Sequence, residues 1–301
     1  MLCAAVIPGI LALLRVWGDM VAMADNMQIG LPFSVTVLKF IIMWFHKKEL
    51  EPVINMIVED WLRTKTVQER DTMVKQARIA RIMVIPMLVQ TYYLRDITET
   101  PLYEIVISVQ AISILMAAIS YTGIDTFLCL LVFHICAQME ILKERFLSLN
   151  NFKDFDIGLS FNIKDHLRLI RSVDIIDNTF NLMLLTLLVF FAMLFCLQGF
   201  LIVNIIDGGG EGVSVMRICW LVSILINTFA HMCLYCVVGE ILIAKGEGIF
   251  YAVYNYMWYL RTPNEVKNLM LIMIRAERPL YITAGRIFPM TLSMFCSVRC
   301  L

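Results

Sequence analysis

Few residues in this sequence have the types and spacing that a chemical site requires. Cys233, Cys236 and Glu240 follow one another at intervals of three and four residues, which places two thiols and a carboxylate on one face of a helix. Such a set can bind a metal ion, but small residues at this spacing more often pack between membrane helices. The chain has no nucleophile elbow, no phosphate-binding glycine loop and no HExxH zinc motif. These patterns predict that the protein is not an enzyme and holds neither a metal ion nor another cofactor.

Asp125 has the clearest functional potential, because it is the one charged residue in an apolar stretch at residues 105–139. A carboxylate inside a membrane is costly unless it faces protein, water or an ion path. His134 is nine residues further along the helix and points to the opposite face, so the two side chains cannot share a ligand. His134 and Gln138 share a face and are predicted to form a hydrogen-bonded pair. Lys39 interrupts another apolar stretch and is expected to extend toward the basic residues 46–48.

The elements that carry these residues are membrane helices. Of the 301 residues, 60% are hydrophobic and 17% are charged, with a mean hydropathy of +0.77, whereas soluble domains are about 45–50% apolar and about 25% charged. Residues 182–206 and 218–239 contain no charge and exceed the roughly 20 residues that a spanning helix needs. The 25 basic residues balance the 25 acidic ones, so no nucleic-acid partner is expected and the lipid bilayer is the predicted environment.

The sequence therefore predicts an all-α, polytopic transmembrane helical bundle that forms a single domain over residues 1–301. Residues 46–81, 140–180 and 244–281 carry most of the basic side chains and are predicted to be cytoplasmic. The pattern of residues 49–63 indicates an amphipathic helix against an apolar surface. The predicted helices cover residues 3–24, 32–45, 103–145 with a cytoplasmic projection, 182–206, 216–243, 265–278 in the cytoplasm, and 282–301.

One membrane crossing is missing from this pattern. The cytoplasmic loops at 46–81 and 140–180 need two crossings between them, yet beside the helix at 103–145 only residues 82–94 are available. A helix of that length spans about 20 Å, which is too short for a bilayer. Either one helix has been lost or the local topology is irregular.

A series of short motifs gives the chain a family resemblance. In order, the final third contains Tyr235-x3-Gly239-Glu240-x-Leu242, Ala252-x-Tyr254-x3-Trp258-Tyr259, Arg275-Ala276-x-Arg278-Pro279-Leu280 and Thr283-Ala284-Gly285-Arg286-x-Phe288-Pro289. These motifs resemble the C-terminal signature of the insect odorant receptor family. The upstream motifs look like the branch of that family found in bees, ants and wasps; they are Lys39-Phe40-x3-Trp44-Phe45, Glu59-Asp60-Trp61, Asp96-Ile97-x3-Pro101-x-Tyr103-Glu104 and Asp125-Thr126-Phe127.

The resemblance implies a seven-helix receptor with a cytoplasmic N-terminus, inverted relative to G-protein-coupled receptors. It implies assembly with a shared co-receptor into a hetero-tetrameric, odorant-gated cation channel in the plasma membrane of a sensory neuron dendrite. Residues 81–85 look like the start of the family's third helix and residues 86–93 like the end of the loop after it. Most of that helix is therefore expected to be missing and the chain to be truncated. A G-protein-coupled metabotropic receptor and a non-functional truncated product are the alternatives.

The resemblance also implies functional positions. The last helix is expected to line the ion path, with a polar or small stripe at positions i, i+7, i+11 and i+14 formed by Arg286, Ser293, Ser297 and Cys300. Close packing of small residues is the alternative for this stripe. A small volatile apolar odorant is expected in an apolar cavity with aromatic walls in the outer half of the bundle. The candidate ligand-binding residues, near the predicted outer ends of the helices, are Tyr92, Tyr103, Gln110, Trp220 and Asn227.

The amphipathic helix at 265–278 predicts an assembly surface. Its apolar stripe consists of Val266, Leu269, Met270, Met273 and Ile274. An apolar stripe on a cytoplasmic segment must be covered by another surface. The cover is either the equivalent segment of a neighbouring subunit or residues 49–63 or 140–180 of the same chain.

Overall fold

The computed structural model describes residues 18–63, 66–84, 101–149, 155–207 and 215–298. These residues are almost entirely helical, which confirms the all-α prediction. The helices are α1 (Met20–Leu62), α2 (Val67–Val84), α3 (Pro101–Leu147), α4 (Phe155–Asp207), α5 (Val215–Tyr254), α6 (Pro263–Ala276) and α7 (Leu292–Val298). A 3₁₀ turn at Trp258–Leu260 precedes α6, and two short strands, β1 (Thr283–Ala284) and β2 (Phe288–Pro289), precede α7.

Four helical segments within the described residues are long and apolar enough to cross a membrane; they are Met20–Leu62, Ile119–Leu147, Phe155–Asp207 and Val215–Leu260. Helices α1, α4 and α5 contain 43, 53 and 40 residues, at least about twice what the hydrocarbon core requires. Each of them therefore combines a spanning stretch with an extension outside the bilayer. In α4 the last charged residue before the apolar stretch is Asp177 and the predicted span begins at Leu182, so residues 155–181 form its extension.

The chain packs as two compact units, which we name by their composition. The apolar unit contains Met1–Phe45, Ile85–Asp125 and Leu182–Leu234, and the charged unit contains His46–Val84, Thr126–Asn181 and Tyr235–Leu301. Ala24, Leu201 and Leu221 form a core cluster in the apolar unit. In the charged unit, Met73 of α2 packs against Ala137 and Ile141 of α3. Helices α1, α3, α4 and α5 each contribute a segment to each unit.

Helix α1 joins elements that the sequence predicts as separate helices at 3–24, 32–45 and 49–63. It runs without a break from Met20 to Leu62; residues 1–17 lie outside the described residues. Gly30 and Pro32 lie within it, because in an apolar environment no water can satisfy backbone groups released by a break. The hydroxyls of Ser34 and Thr36 donate to the carbonyl oxygens of Gly30 and Pro32 at 3.2 and 2.8 Å.

Four of the other predicted helices are present, with different ends. Helix α3 extends two residues beyond both ends of the predicted 103–145, and α5 continues to Tyr254 rather than residue 243. Helix α4 begins at Phe155 rather than residue 182. The sequence interpretation missed these extensions because it followed uncharged stretches, whereas the extensions carry charged residues that pair within the charged unit. Helix α6 lies close to the predicted 265–278 and begins with a capping box between Thr262 and Glu265.

The largest departure from the predicted elements lies before the last helix. The sequence predicts one helix over residues 282–301, but β1 and β2 form an antiparallel hairpin and α7 begins only at Leu292. Gly285 and Arg286, at the hairpin turn, have φ angles of +63° and +59°, in the left-handed region that a right-handed helix excludes. Pro289 has no N–H to contribute to a helix. Arg286 is therefore not on the same helix as Ser293, and the predicted stripe does not include it.

Candidate functional site

A buried ion pair joins α1 to α3 in the apolar unit. Lys39 Nζ lies 2.5 Å from Asp125 Oδ1, and the two side chains are 1% and 0% exposed. A charge removed from water is tolerated only when it is paired, so each residue accounts for the burial of the other. The expectation that Lys39 extends toward residues 46–48 is wrong, because Asp125 gives its ammonium group a partner within the apolar unit.

Two aromatic residues complete what we call the polar cluster, which consists of Lys39, Tyr121, Asp125 and His231. Lys39 Nζ lies 3.5 Å from the centroid of the Tyr121 ring, a cation–π contact that further stabilises the buried ammonium group. Tyr121 is one helical turn before Asp125 on α3 and is only half-buried. Its ring centroid lies 5.8 Å from that of His231 on α5. Helices α1, α3 and α5 therefore bring these side chains together.

The polar cluster contains two buried atoms without a hydrogen-bond partner among the described residues, Asp125 Oδ2 and His231 Nε2. His231 Nδ1 lies 3.0 Å from the backbone carbonyl oxygen of Asn227. Because a carbonyl oxygen can only accept, Nδ1 carries the proton, and in the neutral ring Nε2 is then an acceptor. Both unpartnered atoms are hydrogen-bond acceptors, so each of them lacks a donor among the described residues.

Asp60 is the centre of a second buried network, in the charged unit. It is 1% exposed, and His134 Nε2 and Arg168 Nη2 donate to its two carboxylate oxygens at 3.0 and 2.8 Å. Burial alone would raise the pKa of Asp60, but the hydrogen bonds from His134 and Arg168 and the charge of Arg168 outweigh burial and hold this pKa below its ordinary value. The predicted His134–Gln138 pair is wrong, since Asp60 takes His134 and the Gln138 amide donates to Met73 Sδ at 3.6 Å.

Two other ionisable residues of the charged unit have shifted pKa values. Burial lowers the pKa of His166 to about 4, with a further contribution from the charge of Arg275. Burial would raise the pKa of Glu140, but the hydrogen bonds from Lys245 and Lys143, at 2.7 and 3.1 Å, lower it instead. These shifts favour an uncharged His166 imidazole and an ionised Glu140 carboxylate, and the hydrogen bond from Lys245 to Glu140 joins α5 to α3 within this unit.

The hairpin before α7 is held by three residues of α4, which we call the hairpin anchor: Asp177, Asn178 and Asn181. Asp177 Oδ1 accepts hydrogen bonds from Thr283 N at 2.6 Å and from Thr283 Oγ1 at 2.8 Å. Asn178 Oδ1 accepts from Arg286 Nη2 at 2.6 Å, and the Asn181 carbonyl oxygen accepts from Gly285 N at 2.8 Å. These bonds stabilise the left-handed turn and so determine where the last helix begins.

Helix α5 fixes the other side of the same segment. A Cβ atom at Gly239 would lie 2.0 Å from the Met290 carbonyl oxygen, so only glycine permits this approach of the two backbones. Glu240 Oε2 accepts a hydrogen bond from Leu292 N at 3.2 Å, at the first turn of α7. Glu240 thus interacts with the last helix, and no group of three His, Cys, Asp or Glu side chains within the described ranges is placed to hold a metal ion.

Comparison with known proteins identifies the family. The model of the 7tm Odorant receptor family matches residues 84–299, most of the chain. The protein belongs to the insect odorant receptor family. Odorant receptor 10 of Aedes albopictus is 27% identical over 209 residues, 66% of this chain and 53% of that protein. Odorant receptor 30a of Drosophila melanogaster is 26% identical over 263 residues, 82% of this chain and 67% of that protein. The chain spans about half the length of the mosquito relatives that it matches.

The fold also matches solved odorant receptor structures. The olfactory receptor OR5 of Machilis hrabei aligns with a TM-score of 0.78 at 17% identity, covering 99% of this chain and 85% of OR5. OR5 in complex with eugenol aligns with a TM-score of 0.79 at 16% identity, with the same coverage. This likeness confirms the fold, a multi-pass transmembrane bundle of the odorant receptor type. The family consists of membrane receptors rather than enzymes.

Of the five predicted ligand-binding residues of this odorant receptor, the structure describes the side chains of two. Tyr92 lies outside the described residues. Tyr103 and Gln110 lie on α3, where the structure describes their backbone but not their side chains. Trp220 and Asn227 lie on α5 with exposed side chains. Asn227 contributes to the polar cluster through its backbone carbonyl oxygen, which the sequence interpretation did not consider.

The predicted pore-lining residues do not all lie on the last helix. Arg286 lies in the hairpin turn, where it donates to Asn178. Ser293 lies on α7 and is exposed, Ser297 lies on α7 with a side chain outside the description, and Cys300 lies beyond the described residues. Ser293 and Ser297 therefore lie on the last helix of the odorant receptor.

Proposed function

We propose that this odorant receptor binds a small volatile odorant in its apolar unit and, with a shared co-receptor, forms a hetero-tetrameric cation channel opened by that odorant. The family match over residues 84–299 carries the proposal. Two observations support it: the apolar unit has long helices that can enclose an apolar ligand, and a receptor of the same fold has been solved with eugenol. We propose the plasma membrane of a sensory dendrite as its location.

In the proposed gating step, odorant binding shifts the equilibrium of the last helix between a closed and an open position. A ligand shifts such an equilibrium only when it contacts the two states differently. The hairpin anchor on α4 and the Gly239–Met290 contact on α5 support this mechanism, because both elements that fix the start of α7 also have spanning stretches. We propose Ser293, Ser297 and Cys300 as pore-lining residues, and Arg286 as a residue that holds the hairpin.

Co-expression with the family's co-receptor tests the channel proposal. In a heterologous cell, a panel of volatile odorants is expected to evoke a cation current that persists when G-protein signalling is blocked. The matched control is the co-receptor expressed alone, which should not respond to the same odorant. A response abolished by the blockade would favour the metabotropic alternative. Surface expression without any current would favour the non-functional alternative.

The distribution of basic residues supports an inverted orientation, with the N-terminus in the cytoplasm. Residues 46–81 and 140–180 are rich in lysine and arginine, whereas residues 207–216 contain none. An epitope tag inserted at Gly209 is therefore expected to bind antibody on intact cells, and one at Asn151 only after permeabilisation. Staining of the Asn151 tag on intact cells would contradict this orientation.

Helix α6 supports the assembly with a co-receptor. Leu269 of the predicted stripe is buried within the charged unit, together with Ile272 and Ala276, so the chain itself covers part of this helix. A second apolar face is left exposed, consisting of Met270, Leu271 and Ile274 at 52%, 59% and 59%. Exposed aliphatic side chains this close together favour contact with another protein surface. We propose that a cytoplasmic segment of the co-receptor covers this second face.

Aspartate substitutions on α6 test this assembly surface. Met270→Asp with Ile274→Asp is expected to reduce capture of the co-receptor in a detergent pull-down about tenfold or more, because each buried aliphatic side chain contributes roughly 1.5–3 kcal/mol. The yield of folded chain should stay the same. Asn268→Asp adds one negative charge at an exposed polar position of the same helix and should change neither quantity, whereas Leu269→Asp should reduce both. Full capture by the double variant would rule out this face as the interface.

A further inference from the structure

We propose that the polar cluster is the recognition site for a neutral ligand with a hydroxyl group, an alcohol or a phenol, whose O–H donates to Asp125 Oδ2. This inference rests on the first part of the proposed function, that the receptor binds a small volatile molecule in its apolar unit. It adds the chemical class of that molecule and the residue that selects it.

The unfilled hydrogen-bonding capacity of the polar cluster determines the ligand class. Lys39 occupies Asp125 Oδ1, and Oδ2 is buried without a partner among the described residues. His231 Nε2, the second unpartnered atom, is also an acceptor because Nδ1 donates to Asn227. A group that only accepts, such as an ether, ketone or ester oxygen, cannot pair with either atom. A hydroxyl group supplies the missing donor.

Charge selects against cations and favours a neutral donor. The ammonium group of Lys39 neutralises the Asp125 carboxylate at 2.5 Å and also lies 3.5 Å from the Tyr121 ring centroid. A second cation placed at Asp125 Oδ2 would be repelled by Lys39 in surroundings that screen charge weakly. A hydroxyl group brings no net charge, and its bond to an ionised acceptor is stronger than a bond between neutral groups.

Tyr121 gives the ligand an approach to these atoms. Lys39, Asp125 and His231 are each less than 10% exposed, whereas Tyr121 is only half-buried and contacts both Lys39 and His231. Tyr121 is thus the most exposed residue of the polar cluster. An apolar ligand body can pack against the Tyr121 ring while its hydroxyl group reaches the buried acceptor.

Matched ligands test the proposal in the purified chain in lipid nanodiscs. The probes are straight-chain alcohols of six to ten carbons, each compared with the ether and the alkane that have the same number of non-hydrogen atoms. Binding is followed by tryptophan fluorescence, with protein-free nanodiscs as the control for partition into lipid. Each alcohol that binds is expected to bind at least about tenfold more tightly than its matched ether, because the ether leaves Asp125 unpaired.

Two variants test whether Asp125 is responsible for the preference for alcohols over ethers. Lys39→Met with Asp125→Leu removes both charges together, and the alcohol is then expected to lose its advantage over the ether. Thr228→Val removes a hydroxyl group that is buried on α5 and bonded to the Ile224 carbonyl oxygen, and the advantage should persist. Three outcomes would each overturn the inference. In the first, the unchanged chain binds alcohol and ether equally; in the second, the double variant keeps the advantage of the alcohol; in the third, no member of the panel binds. An alcohol preference without odorant-evoked current would leave this inference standing and contradict the channel proposal.

Discussion

Lys39→Met is expected to abolish most of the folded receptor, because it leaves the Asp125 carboxylate buried without its partner charge. Asp125 is fully buried and its other oxygen has no partner among the described residues. Breaking a buried pair from one side typically destabilises a protein by about 3–5 kcal/mol. That is a large fraction of the roughly 5–15 kcal/mol by which folded proteins are stable. The measurements are the yield of monodisperse protein in detergent and its thermal midpoint.

Two further variants separate the ion pair from the loss of a lysine. Lys48→Met changes an exposed lysine on the same helix and should alter stability by less than about 0.5 kcal/mol. Lys39→Met combined with Asp125→Leu removes both charges and is expected to recover most of the folded protein, because paired apolar replacement is often neutral. A double variant as unstable as Lys39→Met would show that packing around Lys39, rather than its charge, is decisive.

The sequence was sufficient to identify the family and the all-α class, because these depend on composition and on short motifs, and it singled out Asp125 as an isolated charge. It did not predict the partner of Asp125, which is 86 residues away in α1. Spacing along one helix cannot show which residue of another helix faces it. One signal was available: Lys39 and His231, like Asp125, are isolated ionisable residues in apolar stretches. Such residues tend to pair with one another in membrane proteins.

The hairpin before α7 shows a different limit of sequence analysis. Residues 282–301 are apolar and long enough for a helix, and the spacing of Arg286 and Ser293 is compatible with one. The helix is prevented by long-range hydrogen bonds from the hairpin anchor on α4, 106 residues away between Asp177 and Thr283. These bonds stabilise positive φ angles at Gly285 and Arg286, which local propensity disfavours for arginine. Tertiary contacts therefore override the local pattern in the segment that positions the last helix.

Gly239→Ala is expected to displace the last helix, although alanine is the better helix former. Within a helix, glycine to alanine usually stabilises by about 0.5–1 kcal/mol. At Gly239, however, the added Cβ would lie 2.0 Å from the Met290 carbonyl oxygen and 3.1 Å from its carbonyl carbon. Backbone atoms cannot move aside as a flexible side chain does, and overpacking of this kind costs typically 1–3 kcal/mol. We therefore expect a lower thermal midpoint of the purified chain and loss of odorant-evoked current.

Gly246→Ala is the matched control on the same helix. There an added Cβ would meet only Leu280, whose nearest atom is 3.8 Å away, an ordinary contact. The helical preference of alanine then has no steric opposition, so this variant should be equally or more stable than the unchanged chain and keep its current. The two substitutions add the same methyl group to the same helix, and they differ in what that group meets. If Gly239→Ala were as stable and as active as Gly246→Ala, the close approach of α5 to Met290 would have no part in positioning α7, and the proposed gating contact would be wrong.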